Sequence, residues 1–126
     1  MSFEGIFFVV PLLLATEVAD TDSNKNIESY SPSDNTSELT ARINDEGWNT
    51  SYVEYLKVSK LTKKDCIFVL SVGGRNKKYK ISENLIACID YAKKIKSKIL
   101  GIVGPLGGYT YKRGDCVITV SYTHLR

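Results

Sequence analysis

The stretch Asp65-Cys-Ile-Phe-Val-Leu-Ser-Val-Gly-Gly-Arg-Asn-Lys-Lys78 decides how this chain of 126 residues is read. Its first half is a continuous apolar run, residues 67–70, of the kind that forms a central parallel strand with both faces covered. Its second half is a short loop rich in glycine, amide and cation, and a helix is expected to follow from Ser82. Ligands of open α/β sheets collect just beyond the carboxyl ends of such strands. Residues 71–78 are therefore the candidate anion site. Gly73 and Gly74 have no Cβ, so backbone N–H groups at this point can approach an oxyanion closely. Ser71 offers a hydroxyl, Asn76 an amide, and Arg75, Lys77 and Lys78 positive charge. Charge-assisted hydrogen bonds contribute about 1.5–3 kcal/mol each, so two or three suffice to hold a phosphate. The N-terminus of the following helix adds about 0.3–1 kcal/mol of dipole attraction.

Outward from this segment the chain alternates strand and helix patterns. Toward the C-terminus, Leu85, Ile86, Ile89, Ala92 and Ile95 fall on one face of a helix whose other side carries lysines. Residues 99–103 form another apolar strand, 104–108 a glycine-rich loop, and 116–120 a last strand. Toward the N-terminus, Tyr52, Val53, Tyr55, Leu56 and Leu61 have helical spacing, and a shorter helix bearing Leu39 and Ile43 is expected to be capped by Thr36 or Ser37 and ended by Gly47. Before it lie a turn over 31–35, a short strand over 27–30, a polar loop over 16–26, and a first buried strand over 5–10 stopped by Pro11. Strands separated by helices give an α/β class with a parallel sheet and right-handed crossovers.

Composition narrows the function. With 43% hydrophobic residues the chain can build a single core. A net charge of +3, lysines dispersed along the sequence and no interleaving of aromatic and basic residues give no reason to expect nucleic acid as a partner. Cys66, Cys88 and Cys116 lie in apolar stretches and read as reduced core thiols of a cytoplasmic protein. The single histidine, His124, cannot by itself build a metal site or a catalytic triad, and neither a metal nor another cofactor is expected. The apolar run over 6–15 lacks a basic leader and is too short to span a bilayer, so no membrane association is expected.

Three blocks carry a resemblance to a known family. They are Ser33-Asp-Asn-Thr-Ser-Glu-Leu-Thr-Ala-Arg-Ile-Asn-Asp-Glu-Gly-Trp48, the segment from Asp65 to Asn76, and Lys98-Ile-Leu-Gly-Ile-Val-Gly-Pro-Leu-Gly-Gly108 with Asp115-Cys-Val-Ile. Together they resemble the sugar isomerase (SIS) domain, in its phosphoheptose isomerase-like branch, over about two thirds of the chain. The resemblance implies a three-layer α/β/α sandwich with a mostly parallel five-stranded sheet, incomplete here, occupying residues 1–120 and followed by a tail over 121–126 that matches no family element. It implies a sugar phosphate as ligand and assembly into dimers or tetramers. Carried onto this sequence, the phosphate loop falls on Ser71, Gly73, Gly74 and Asn76, with Arg75 and Lys77 replacing hydroxyls that the family loop more often carries. Asn44-Asp45 matches a dipeptide that reaches the sugar, and Ser33-Asp34 a turn beside it.

The chain departs from the family where catalysis would lie. In place of a glycine- and serine-rich first loop and a helix bearing a catalytic glutamate it has Pro11-Leu-Leu-Leu-Ala-Thr-Glu-Val-Ala-Asp20, and Glu17 cannot be equated with that acid. A second catalytic group beyond the last strand has no counterpart, and His124 is not assigned that role. Aldose–ketose isomerisation through an enediol needs an acid and a base about C1 and C2 of the sugar. Asp45 and Glu83 are the carboxylates expected near the site, and neither is given a catalytic role. The competing reading from sequence is a sugar-phosphate-binding module without turnover.

Overall fold

The computed structural model describes the backbone of residues 12–19 and 25–28 and the whole of residues 29–71, 83–105 and 107–120. Strands β1 (Leu12–Ala19) and β2 (Lys25–Tyr30) lead into helices α1 (Thr36–Glu46) and α2 (Trp48–Val58). Then follow β3 (Cys66–Ser71), α3 (Glu83–Ile95), β4 (Lys98–Val103), α4 (Gly108–Arg113) and β5 (Cys116–Thr119). The five strands form one sheet in the order β2-β1-β3-β4-β5. β3, β4 and β5 are parallel neighbours, whereas β1 is antiparallel to both β2 and β3. All strands except β1 therefore run in one direction, and the sheet is mostly parallel as expected.

The N-terminal part corrects the sequence reading. The strand placed over 5–10 lies outside the described residues. The segment read as a polar loop over 16–26 is largely strand, since β1 continues to Ala19 and β2 starts at Lys25. Glu17, Asn26 and Lys25 weigh against a strand by composition, yet backbone pairing of Glu17 with Ile27 and of Ala19 with Lys25 extends the hairpin through them. Ladder bonds between the two strands of the hairpin outweigh weak strand propensity. The short helix α4 between β4 and β5 also escaped the sequence reading, its six residues being too few for a periodic pattern.

The helices form where capping and burial coincide. The cap of α1 is Asn35, not Thr36 or Ser37: Asn35 is extended, with φ −113°, and its Oδ1 accepts the Glu38 N–H at 3.1 Å. Such a cap contributes about 1 kcal/mol. Gly47 ends α1 at φ +86°, where its N–H reaches the Ile43 carbonyl at 2.9 Å. α2 buries Tyr52, Val53 and Leu56, and α3 buries Leu85, Ile86, Cys88, Ile89 and Ala92. Both pack on the sheet face formed by Ile67, Val69 and Ile99, giving one core. The fold is α/β. Among the described residues the helical layer covers this face alone; on the opposite face Phe68, Leu70 and Leu100 are half-buried and Ile102 and Ile118 exposed.

Two consequences of this packing are measurable. A Cβ built at Gly114 would lie 2.2 Å from Val117 Cγ2 and 2.8 Å from the Thr110 carbonyl oxygen, so backbone must shift to admit it. Gly114→Ala is expected to cost about 1–3 kcal/mol, read from the urea midpoint. Of the three cysteines expected in the core only Cys88 is there, Cys66 being half-buried and Cys116 exposed on the edge strand β5; burial pushes the Cys88 thiol far above the usual thiol range. Its protonated form is thus favoured in the folded state, and the associated stability is present below the unfolded pKa of about 8.5 and lost as pH rises above it. Urea midpoints are expected to fall between about pH 8.5 and pH 10, at up to about 1.4 kcal/mol per pH unit, and Cys88→Ala should flatten that limb.

Candidate functional site

Because β2, β3, β4 and β5 share a direction, their carboxyl ends lie along one edge. Ser71 closes β3 at this edge. In β3 every second residue points into the core, and Ser71 continues the stripe of Ile67 and Val69. Its side chain is 4% exposed, and among the described residues its Oγ has no hydrogen-bond partner. Its carbonyl accepts the Gly104 N–H at 3.0 Å, which joins the loop after β4 to the end of β3. An unpaired buried hydroxyl costs about 1–3 kcal/mol. In the sequence Ser71 immediately precedes the glycine-rich segment. Gly73, Gly74, Arg75, Asn76, Lys77 and Lys78, the remainder of the anion site expected from sequence, lie outside the described residues, as does Ser82 at the expected start of the next helix.

The turn after β2 is built from its own polar groups. Ser31 N–H donates to Asp34 Oδ2 at 2.9 Å, Ser33 N–H donates to Ser31 Oγ at 3.2 Å, and the Ser31 and Ser33 hydroxyls are 2.8 Å apart. Asp34 N–H completes the turn on the Ser31 carbonyl at 3.1 Å. Asp34 thus serves the turn itself, and its carboxylate is exposed. Asn44 and Asp45 stand in the last turn of α1, open to solvent, just before the elbow at Gly47. α2 runs from that elbow toward the start of β3. Ser33 and Asp34 thus lie in the turn after β2, Asn44 and Asp45 at the other end of α1, and Ser71 at the end of β3. In the sheet β1 stands between β2 and β3.

Asn84, in the first turn of α3, was passed over by the sequence reading. It is 4% exposed, and its Oδ1 accepts the Leu85 N–H at 2.9 Å. The spacing held the signal: Asn84, Cys88 and Ala92 are four apart, and all three are buried. Glu83 beside it is half-buried and suits the helix dipole. On the far side of α3, the Tyr109 hydroxyl donates to Asp90 and ties α4 to α3. Burial first, and that hydrogen bond second, hold the Tyr109 pKa above its ordinary value. Among the described residues no group of three His, Cys, Asp or Glu side chains is arranged to hold a metal ion. No described helix is long and apolar enough to cross a membrane. At the carboxyl edge the described residues offer the buried Ser71 hydroxyl as a donor and contain no acid–base pair.

No protein-family model and no curated protein sequence matches the chain. Solved structures do. A phosphoheptose isomerase from Francisella tularensis superposes with a TM-score of 0.61 at 15% identity, covering 76% of this chain and 49% of its own. A phosphoheptose isomerase from Neisseria gonorrhoeae gives 0.60 at 21% identity, covering 77% of this chain and 50% of its own. The chain spans about half the length of these neighbours and shares their fold.

Proposed function

We propose that this chain, sharing the fold of phosphoheptose isomerases, is a phosphosugar-binding domain of the sugar-isomerase type, with sedoheptulose 7-phosphate as its preferred ligand. The observation that carries the reading is the Ser71 hydroxyl, buried at the carboxyl end of β3 without a partner among the described residues. A phosphate oxygen held there would accept its proton and remove the cost of leaving it unpaired. Gly73, Gly74 and Asn76 would supply backbone and amide donors to the same phosphate, and Arg75 and Lys77 the charge. Asn44 and Asp45, in the last turn of α1, would reach the sugar, and Ser33 and Asp34 would form a turn beside it.

Phosphate binding fixes the orientation of a sugar, which is the part of an isomerisation this chain is equipped for. The acid and base of an enediol reaction are not assigned to any residue. We place the protein in the cytoplasm, its three cysteines being free, and expect the intact protein to self-associate into dimers or tetramers. Calorimetric titration with sedoheptulose 7-phosphate, followed by NMR of the equilibrated mixture, tests the reading. Saturable one-site binding that inorganic phosphate weakens is the expected result. Absence of any sugar-phosphate binding would overturn it, and appearance of aldose signals would add turnover to it.

A further inference from the structure

The lysines that look dispersed along the sequence are collected by the fold at the edge opposite Ser71. The connections entering the three parallel strands β3, β4 and β5 all lie there. Ser97 Oγ and the Lys98 N–H both donate to the Asp65 carbonyl, at 2.8 and 3.3 Å, and the Asp115 carboxylate accepts the Ile99 N–H at 2.8 Å, so the three connections form one continuous rim. Lys60, Lys63 and Lys64 stand in the first connection, Lys96 and Lys98 about the second, and Lys112 before the third, all exposed. None of these six is in an ion pair among the described residues. Three further cations nearby are already engaged: Lys57 with Glu54, Lys93 with Asp115, and Arg113 over the ring of Tyr109.

A second, independent observation concerns the backbone. Lys60 and Lys96 both hold left-handed φ, of 57° and 64°, and they are the positive-φ residues other than glycine among the described residues. Each follows a helix closed in the same way: Leu61 N–H reaches the Leu56 carbonyl at 3.2 Å, and Ser97 N–H the Ala92 carbonyl at 2.9 Å. Glycine holds this position with less strain, as Gly47 does after α1. A lysine there adds no capping bond that glycine would lack. The helix dipoles already have Lys57 and Lys93 in their last turns. Two lysines therefore stand where local backbone preference favours glycine, at equivalent points of one rim.

We infer that this rim, centred on Lys60, Lys96 and Lys98, binds single-stranded nucleic acid through its phosphate backbone. The cations follow successive parallel strands, which lie about 4.8 Å apart, and so form a line rather than a broad face. A line of flexible point charges suits a chain carrying one phosphate per nucleotide. Tyr111, 57% exposed and next to Lys112, presents a ring on which a base can stack. The rim lies across the sheet from the sugar-phosphate site, and the inference does not rest on that site.

Fluorescence anisotropy of a labelled oligothymidylate titrated with the whole chain tests the inference, with the thermal midpoint measured on the same samples. Binding is expected to weaken steeply between about 50 and about 200 mM salt. The double variant Lys60→Gly/Lys96→Gly should bind at least about tenfold more weakly while its thermal midpoint is unchanged or raised. Sedoheptulose 7-phosphate should not displace the oligonucleotide. Lack of binding at low salt, equal binding by the double variant, displacement by the sugar phosphate, or equally tight binding to polyglutamate or to phosphatidylserine vesicles would each overturn it.

Discussion

Leu56→Ala is expected to lower the unfolding free energy by about 2–5 kcal/mol. Leu56 is fully buried in the last turn of α2, within the cluster that joins Tyr52, Val53 and Leu61 to Ile67 of β3 and to Leu85, Cys88 and Ile89 of α3. Truncation removes both the transfer energy of the side chain and the contacts of the atoms left lining the cavity. The cavity has little means of collapse, because its walls come from two helices and a strand held by separate backbone hydrogen bonds. A domain of this size has only about 5–15 kcal/mol of total stability, so the variant should unfold at a markedly lower urea concentration with an unchanged m-value. A change of less than about 1 kcal/mol would mean that α2 does not pack as described.

The second large effect is on binding. Gly74→Asp is expected to weaken sugar-phosphate affinity by about 100-fold, or about 2.7 kcal/mol. The substitution puts a carboxylate into the loop expected to hold a phosphate, and removes the backbone freedom of glycine. Two unit charges about 4 Å apart repel by about 1 kcal/mol in bulk water and about 4 kcal/mol near a protein surface, and a phosphate monoester carries nearly two charges at neutral pH. Repulsion of this size accounts for the expected loss of affinity. Calorimetric titration of wild type and variant reads it directly, and an unchanged affinity would remove residues 71–78 as the site.

Much of the fold was legible because its signals were periodic. The apolar runs of β3 and β4 and the stripe of Leu85, Ile89 and Ala92 on α3 give the βαβ unit at the centre, and these elements lie within a residue or two of their expected bounds. What escaped was set by pairing rather than by periodicity. β1 and the start of β2 take residues such as Glu17 and Lys25 into the sheet through their ladder partners, and a pattern search along one strand does not see the partner strand. The same distinction applies at the edges. Ser71 was legible as the last residue of an apolar run before glycines, but its burial follows from its place on the core-facing side of β3. The basic rim was not legible at all, because it joins residues more than thirty positions apart that only the parallel connections bring side by side.

Ser71 Oγ is buried and without a partner among the described residues, and the proposed phosphate site rests on it. The most direct measurement pairs two readings on wild type and Ser71→Ala: the unfolding free energy without ligand, and the affinity for sedoheptulose 7-phosphate. Removal of an unsatisfied hydroxyl should raise the ligand-free stability by up to about 1 kcal/mol, while loss of its hydrogen bond to phosphate should weaken binding about tenfold. A variant that is destabilised, or that binds the sugar phosphate as tightly as wild type, would contradict the assignment of Ser71 to the phosphate site.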